Sequence, residues 1–173
     1  MTGHLILVGL PGAGKSTVGP LLARALGRGF LDFDAEIARR EGRTVAEIFA
    51  SDGESRFRTL ERALTAELRA AAPMVLAPGG GWLTSPGNLE ALRPPGIVVY
   101  LEVSVPTALE RMGAATSTRP LLATGEPGPA LSAILEARER LYLQANHTVS
   151  TELHSPEAIA SRIVALAGAG TTD

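Results

Sequence analysis

Cysteine is absent from this 173-residue chain, which excludes disulfides and cysteine-ligated zinc and leaves the compartment open. Lysine is almost absent. Of the 16 basic residues only Lys15 is a lysine, and the rest are arginines. A chain that uses arginine everywhere else has kept a compact ammonium at one position, where a guanidinium fork would not serve. Excess charge is lacking too, since a formal net charge of −2 gives no general attraction for nucleic acid or an anionic membrane. The apolar run near the start, Leu5–Val8, is far too short to span a bilayer. No cationic segment precedes it and glycine and lysine follow, so the expectation is a cytosolic protein without a signal peptide. What is present is ordinary for a globular protein, with 45% hydrophobic and 20% charged residues in a length that suits one domain.

Short apolar runs alternate with longer helix-like stretches. The runs are His4–Val8, Phe30–Phe33, Met74–Ala77, Ile97–Leu101 and His147–Val149. Between them, helices are expected over Lys15–Leu26, Ala35–Arg40, Val45–Ala50, Glu54–Ala71, Val105–Arg111, Pro129–Ala145 and Pro156–Leu166. This alternation predicts an α/β fold, a five-stranded parallel sheet with helices on both faces. In Glu54–Ala71 the apolar positions Phe57, Leu60, Leu64, Leu68 and Ala71 form one stripe, and Arg58, Glu61, Arg62 and Arg69 fall off it. One domain is expected over residues 1–168, with a mobile excursion at about 113–125 and a frayed tail at 169–173.

Gly9-Leu10-Pro11-Gly12-Ala13-Gly14-Lys15-Ser16 matches the P-loop pattern G-x-x-x-x-G-K-[ST] at every fixed position, between an expected strand and an expected helix. Glycines let the backbone turn its N–H groups inward as a nest for phosphate oxygens, and the helix N-terminus adds partial positive charge. Lys15 is placed to reach the β- and γ-phosphates of ATP and the Ser16 hydroxyl to ligate Mg²⁺. Gly12, Ala13, Gly14 and Thr17 complete the nucleotide cradle.

The third run ends in Gly79-Gly80-Gly81 instead of the acidic residue common in GTPases and ATPases, and a guanine-reading N-K-x-D needs a second lysine. Acidic residues follow the second run instead. In an extended segment Asp32 and Asp34 would face one side, one supporting the metal and the other accepting a hydroxyl proton. The bland alternative makes Asp34 the cap of a helix starting at Ala35.

Further along come Gly53-Glu54-Ser55-Arg56-Phe57-Arg58-Thr59-Leu60-Glu61, the triple glycine, Arg119-Pro120-Leu121-Leu122, and Arg138-Glu139-Arg140-Leu141-Tyr142. With the P-loop and Asp32/Asp34, this ordered set resembles the shikimate kinase family from about residue 4 to residue 166. The resemblance implies γ-phosphoryl transfer from MgATP to the 3-hydroxyl of shikimate, a step of aromatic amino acid biosynthesis. It implies that Asp34 binds the acceptor hydroxyl and favours its deprotonation, and that Asp32 stands near Mg²⁺. Arg58 and Arg138 would clamp the shikimate carboxylate, with Gly79, Gly80 and Gly81 against the ring. Arg119, in a lid at 113–125, would close over the triphosphate. Arg111 would stack on adenine, or else only meet its helix dipole as a C-terminal cation. Without the resemblance, Arg58, four residues after Glu54 and three before Glu61, reads as a member of a surface ion pair, and Arg138 as a solvated arginine among Glu136, Glu139 and Arg140. Two positions depart from the family pattern: Arg140, where it often has proline, and Asn146, where it tends to have a small residue.

Three rivals stand beside this reading. One is a kinase of another small hydroxy acid such as gluconate. Another is a non-catalytic sensor of ATP and a small acid, and the third a nucleoside monophosphate kinase, for which a carboxylate clamp would be wasted. The protein is expected to act as a monomer, without nucleic acid or membrane.

Overall fold

The computed structural model describes residues 2–116, 122 and 126–169. Five strands form one parallel sheet: β1 (Leu5–Val8), β2 (Phe30–Asp32), β3 (Val75–Ala77), β4 (Ile97–Glu102) and β5 (His147–Ser150). Their spatial order is β2-β3-β1-β4-β5, which puts β1 in the middle. All four β1 residues are buried, as a parallel strand covered on both faces requires, so its sequence is an unbroken apolar run. Helices α1 (Lys15–Leu26), α2 (Phe33–Glu41), α3 (Val45–Leu68), α4 (Asn88–Leu92), α5 (Val105–Met112), α6 (Pro127–Tyr142) and α7 (Pro156–Ala169) complete the domain. Among the described residues no helix is long and apolar enough to cross a membrane.

The sheet follows the expected pattern strand for strand, while the helix boundaries shift for local reasons. Helix α2 starts at Phe33 because the Asp32 carboxylate caps it, accepting from the backbone N–H of Asp34 and Ala35. Asp34 therefore lies inside the first turn, neither capping the helix nor standing on an extended segment. Helix α3 unites two expected helices across a break at Gly53, whose φ of 79° and ψ of 168° are not helical. A capping box of Thr44 and Glu47 fixes its start. The five-residue α4 was not expected, being too short to show a period. Helix α7 continues to Ala169, so the expected tail is helical at its first residue. The expected lid begins with a 3₁₀ turn, Gly113–Thr116, and Leu122 is buried, but most of its other residues lie outside those described.

The stripe on α3 departs from expectation in one consequential way. Its buried residues after the break are Phe57, Glu61, Leu64, Thr65 and Leu68, so Glu61 lies on the stripe and Ala71 is exposed beyond the helix end. Nearby, His4 ties three elements together. Its Nε2–H donates to the Leu68 carbonyl at 2.8 Å, and its Nδ1 accepts the Met74 N–H at 3.0 Å, fastening β1 to the end of α3 and the start of β3. Asn146 makes a similar tie, its Oδ1 accepting from the Val98 N–H at 2.9 Å, so this departure from the family pattern serves the sheet.

Candidate active site

The chain leaves β1 at Gly9, turns through the glycine-rich loop and enters α1 at Lys15. Gly14 holds the N-cap position at φ 95°, with no side chain capping the helix. Gly12 is required by space as well as by conformation: at φ 82°, a Cβ there would lie 2.4 Å from the Ala108 carbonyl oxygen of α5. A cleft of about 610 Å³ opens over this loop, lined by Pro11–Val18, Asp32, Asp34, Ala77–Gly80, Arg111, Met112, Thr151, His154, Pro156 and Ile159. The Lys15 ammonium donates to the Gly9 and Leu10 carbonyls at 2.8 and 2.9 Å, held on the loop it would leave to reach a phosphate. Ser16 Oγ donates to Asp32 Oδ2 at 2.7 Å, uniting the end of β2 with the start of α1.

On the other side the three glycines after β3 form a hub. A Cβ on Gly79 would lie 3.0 Å from Asp34 Oδ1 and 3.1 Å from Glu61 Oε1, so both carboxyls press on the same backbone. A Cβ on Gly80 would meet the Gly9 carbonyl oxygen at 3.3 Å, the Tyr142 hydroxyl at 3.4 Å and Arg138 Nη1 at 3.5 Å. On Gly81 it would fall 2.2 Å from Arg58 Nη2, so glycine alone lets this guanidinium lie on the turn. Asp34, Arg138 and Arg58 are thus brought together along one turn that also touches the phosphate loop. Arg58 does pair with Glu54 and Glu61, as its spacing suggests, but in a largely buried position and not on the surface, and Arg138 is not freely solvated. The Arg58 side chain is only 12% exposed, and Arg138 is half-buried at the Gly80 turn, where the Tyr142 hydroxyl also lies.

Sequence reasoning took Glu61 only as a surface partner of Arg58 and gave Tyr142 no role of its own, and the structure buries both at the site. Glu61 is fully buried, its Oε2 accepting from Arg58 Nη1 at 2.5 Å while Oε1 has no hydrogen-bond partner among the described residues. Burial pushes its carboxyl up to about 7; Arg58 and Arg138 pull the other way and Asp34 adds to the rise. Its spacing of four from Phe57 and three to Leu64 was the available signal, since that places it on the buried face. Tyr142 is buried and stacked on Tyr100, with ring centroids 5.1 Å apart, and its hydroxyl donates to the Gly80 carbonyl at 2.8 Å. No local signal separates a buried hydroxyl with this task from an ordinary core tyrosine.

Arg111 ends α5 at the far side of the cleft. Its guanidinium donates to Thr151 Oγ1 at 2.9 Å and to the Thr151 carbonyl at 2.5 Å, a tie to the loop after β5 beyond any effect of the helix dipole. Arg119 lies outside the described residues.

A central parallel strand that feeds a glycine-rich phosphate loop, with carboxylates and arginines converging on the next strand's end, defines a P-loop kinase. The shikimate kinase family model matches residues 11–167. The chain is 48% identical to shikimate kinase of Thermobifida fusca, covering 91% of each chain. It is 46% identical to that of Mycobacterium avium, over 95% of this chain and 93% of the relative. The solved shikimate kinase of Acinetobacter baumannii in complex with shikimate superposes with a TM-score of 0.94 at 40% identity, covering 100% of this chain and 97% of that one. A gluconokinase from Sinorhizobium meliloti, at 20% identity and a TM-score of 0.54, shares the fold alone. The chain belongs to the shikimate kinase family and is, with it, an ATP-dependent phosphotransferase.

Proposed function

We propose that this cleft transfers the γ-phosphoryl group of ATP to the 3-hydroxyl of shikimate, with the roles of its residues as follows. The acceptor oxygen forms a bond to the γ-phosphorus while the bond from that phosphorus to the β,γ-bridging oxygen breaks, giving shikimate 3-phosphate and ADP. Asp34 takes the hydroxyl proton as the new bond forms. Lys15 and the amides of Gly12–Thr17 hold the β- and γ-phosphates and meet the charge that builds on them. Arg58 and Arg138 receive the acceptor carboxylate, and Gly79–Gly81 lie against its ring because no side chain stands in the way. Arg111, fixed by Thr151, borders the adenine end, and Arg119 would close over the triphosphate.

The donor set also fits Mg²⁺. Ser16 and Asp32 offer adjacent oxygens beside the phosphate loop, and the described residues hold no cluster of three or more His, Cys, Asp or Glu of the kind that would cage a metal alone. Mg²⁺ suits such a site, since it takes one or two protein oxygens and completes its shell with phosphate and water. Ser16 would ligate it and Asp32 would orient the shell, and the ion would neutralise phosphate charge.

The observation that carries this reading is the hub: successive glycines touch a carboxylate, one guanidinium and then the other, in contact with the phosphate loop. The test is ADP formation from MgATP with shikimate, gluconate, quinate or no acceptor. Turnover is expected with shikimate alone, and Asp34→Asn should lower it by roughly 10²- to 10⁴-fold while ATP still binds. Binding of ATP without turnover of any acceptor would instead favour a sensor.

A further inference from the structure

The geometry points to Glu54 as a resident competitor for the acceptor's carboxylate, a specificity-determining residue that lowers the affinity of the site for anions. This inference rests on the reading of Arg58 as a carboxylate clamp. Arg58 is enclosed on three sides. Its face lies on the Gly81 backbone, and its Nη1 donates to buried Glu61. Its remaining edge, Nε and Nη2, is bridged by a single oxygen, Glu54 Oε1, at 3.1 and 2.6 Å. That edge has the fork geometry that takes a carboxylate with two parallel bonds. It is also the edge reached from solvent, since the Glu54 side chain is 46% exposed and that of Glu61 is 0% exposed. A carboxylate that takes this edge must therefore displace Glu54.

Two opposed roles are conceivable for such a contact, and the packing decides between them. Glu54 could hold Arg58 in place and so assist binding. Arg58 is already fixed by Glu61 beneath it and by the glycine turn across its face, so little positioning is left for a half-exposed carboxylate to add. Its charge, by contrast, acts directly against an anionic acceptor. Around the turn two guanidinium groups, Arg58 and Arg138, face three carboxyls, Glu54, Glu61 and Asp34. Glu54 is also the most exposed of the three, and it lies in α3 directly after the Gly53 break.

The test compares Glu54→Gln with Arg58→Lys in the full chain, measuring the Kd of shikimate by calorimetry and the KM values for shikimate and ATP. Glu54→Gln keeps an oxygen facing Arg58 and removes only the charge. It should lower the Kd and KM for shikimate about two- to five-fold, the range of a half-exposed ion pair, with the KM for ATP unchanged. A rise in shikimate KM would overturn the proposal and make Glu54 a positioning residue. If Glu54→Gln has no effect while Arg58→Lys raises the shikimate KM, the competitor role fails and the clamp stands. Should Arg58→Lys leave that KM unmoved as well, the clamp itself fails and the proposal with it.

Discussion

The two halves of the cleft are built by different means. On the proposed nucleotide side, one stretch of chain from Gly9 to Ser16 would supply the cradle, mostly with backbone N–H groups held by a strand and a helix start. On the acceptor side, Asp34 comes from α2, Arg58 and Glu61 from α3, the glycines from the end of β3, and Arg138 and Tyr142 from α6. There the proposed working groups are mainly charged side chains, several half-buried or buried, set against one another. A site of the first kind fails when its backbone is disturbed. A site of the second kind can be tuned one charge at a time, by substitution or by pH.

After Asp34→Asn, substitution of Lys15 should have the largest effect and fall on chemistry. Lys15→Met removes the one ammonium of the chain from the phosphate loop, and a loss of roughly 10²- to 10³-fold in kcat is expected, as for removal of a single preorganised transition-state donor. Steady-state kinetics would check it, and a change confined to the KM for ATP would contradict the assigned role. Gly12→Ala and Gly81→Ala then separate the halves. The first sets a Cβ against the Ala108 carbonyl at φ 82°, which should weaken ATP binding and lower the thermal midpoint. The second drives a methyl group into the Arg58 guanidinium and should raise the shikimate KM about ten-fold or more, with ATP binding retained. Equal effects of Gly81→Ala on both substrates would dissolve the division.

The same division explains what could be read from the sequence. The sheet, the phosphate loop and α1 were legible because each is encoded by neighbours: an apolar run, glycines at fixed offsets, a lone lysine. Apart from Asp34, the acceptor half was legible only through resemblance to a family, because nothing in the spacing of Arg58, Gly81 and Arg138 says that they meet. Glu61 was misplaced for a physical reason. Assigning charged residues to the solvent side is sound on average, but this one is held in the core by Arg58, and helical period, not polarity, sets its direction. The Asp32–Asp34 pair was put on one side for the wrong cause, since a helix start and not strand alternation brings both to the cleft.

The pH dependence of stability sharpens the contrast further. The Glu61 carboxyl is raised from 4.5 to about 7 in the folded protein, so the native state binds this proton more tightly than the unfolded chain does. Its contribution is fully present below pH 4.5 and is lost as pH rises through about 7. At 1.36 kcal/mol for each pKa unit, the loss is roughly 3 kcal/mol across that window. Glu61→Gln should flatten this part of the profile, measured as urea unfolding at pH 4.5, 5.5, 7 and 8. Wild-type and variant curves that run parallel would mean that Arg58 keeps Glu61 ionised throughout.

The smallest effect should come from the rim of the nucleotide half, where a side chain does enter. Arg111 reaches Thr151 through two bonds, one to the hydroxyl and one to the carbonyl, and Thr151 Oγ1 in turn lies 3.2 Å from the Glu102 carbonyl. Thr151→Val keeps the shape and the carbonyl bond and deletes only the hydroxyl. If Arg111 borders adenine and Thr151 sets its direction, the ATP KM should rise about two- to five-fold, the effect of one hydrogen bond to a charged group, and the shikimate KM should not change. Arg111→Ala removes the side chain itself and should raise the ATP KM by more. Were Thr151→Val to lower the thermal midpoint and leave the ATP KM alone, the tie would be a clasp between α5 and the loop after β5. The adenine end would then depend on the remaining lining residues, His154, Pro156 and Ile159, instead of on Arg111.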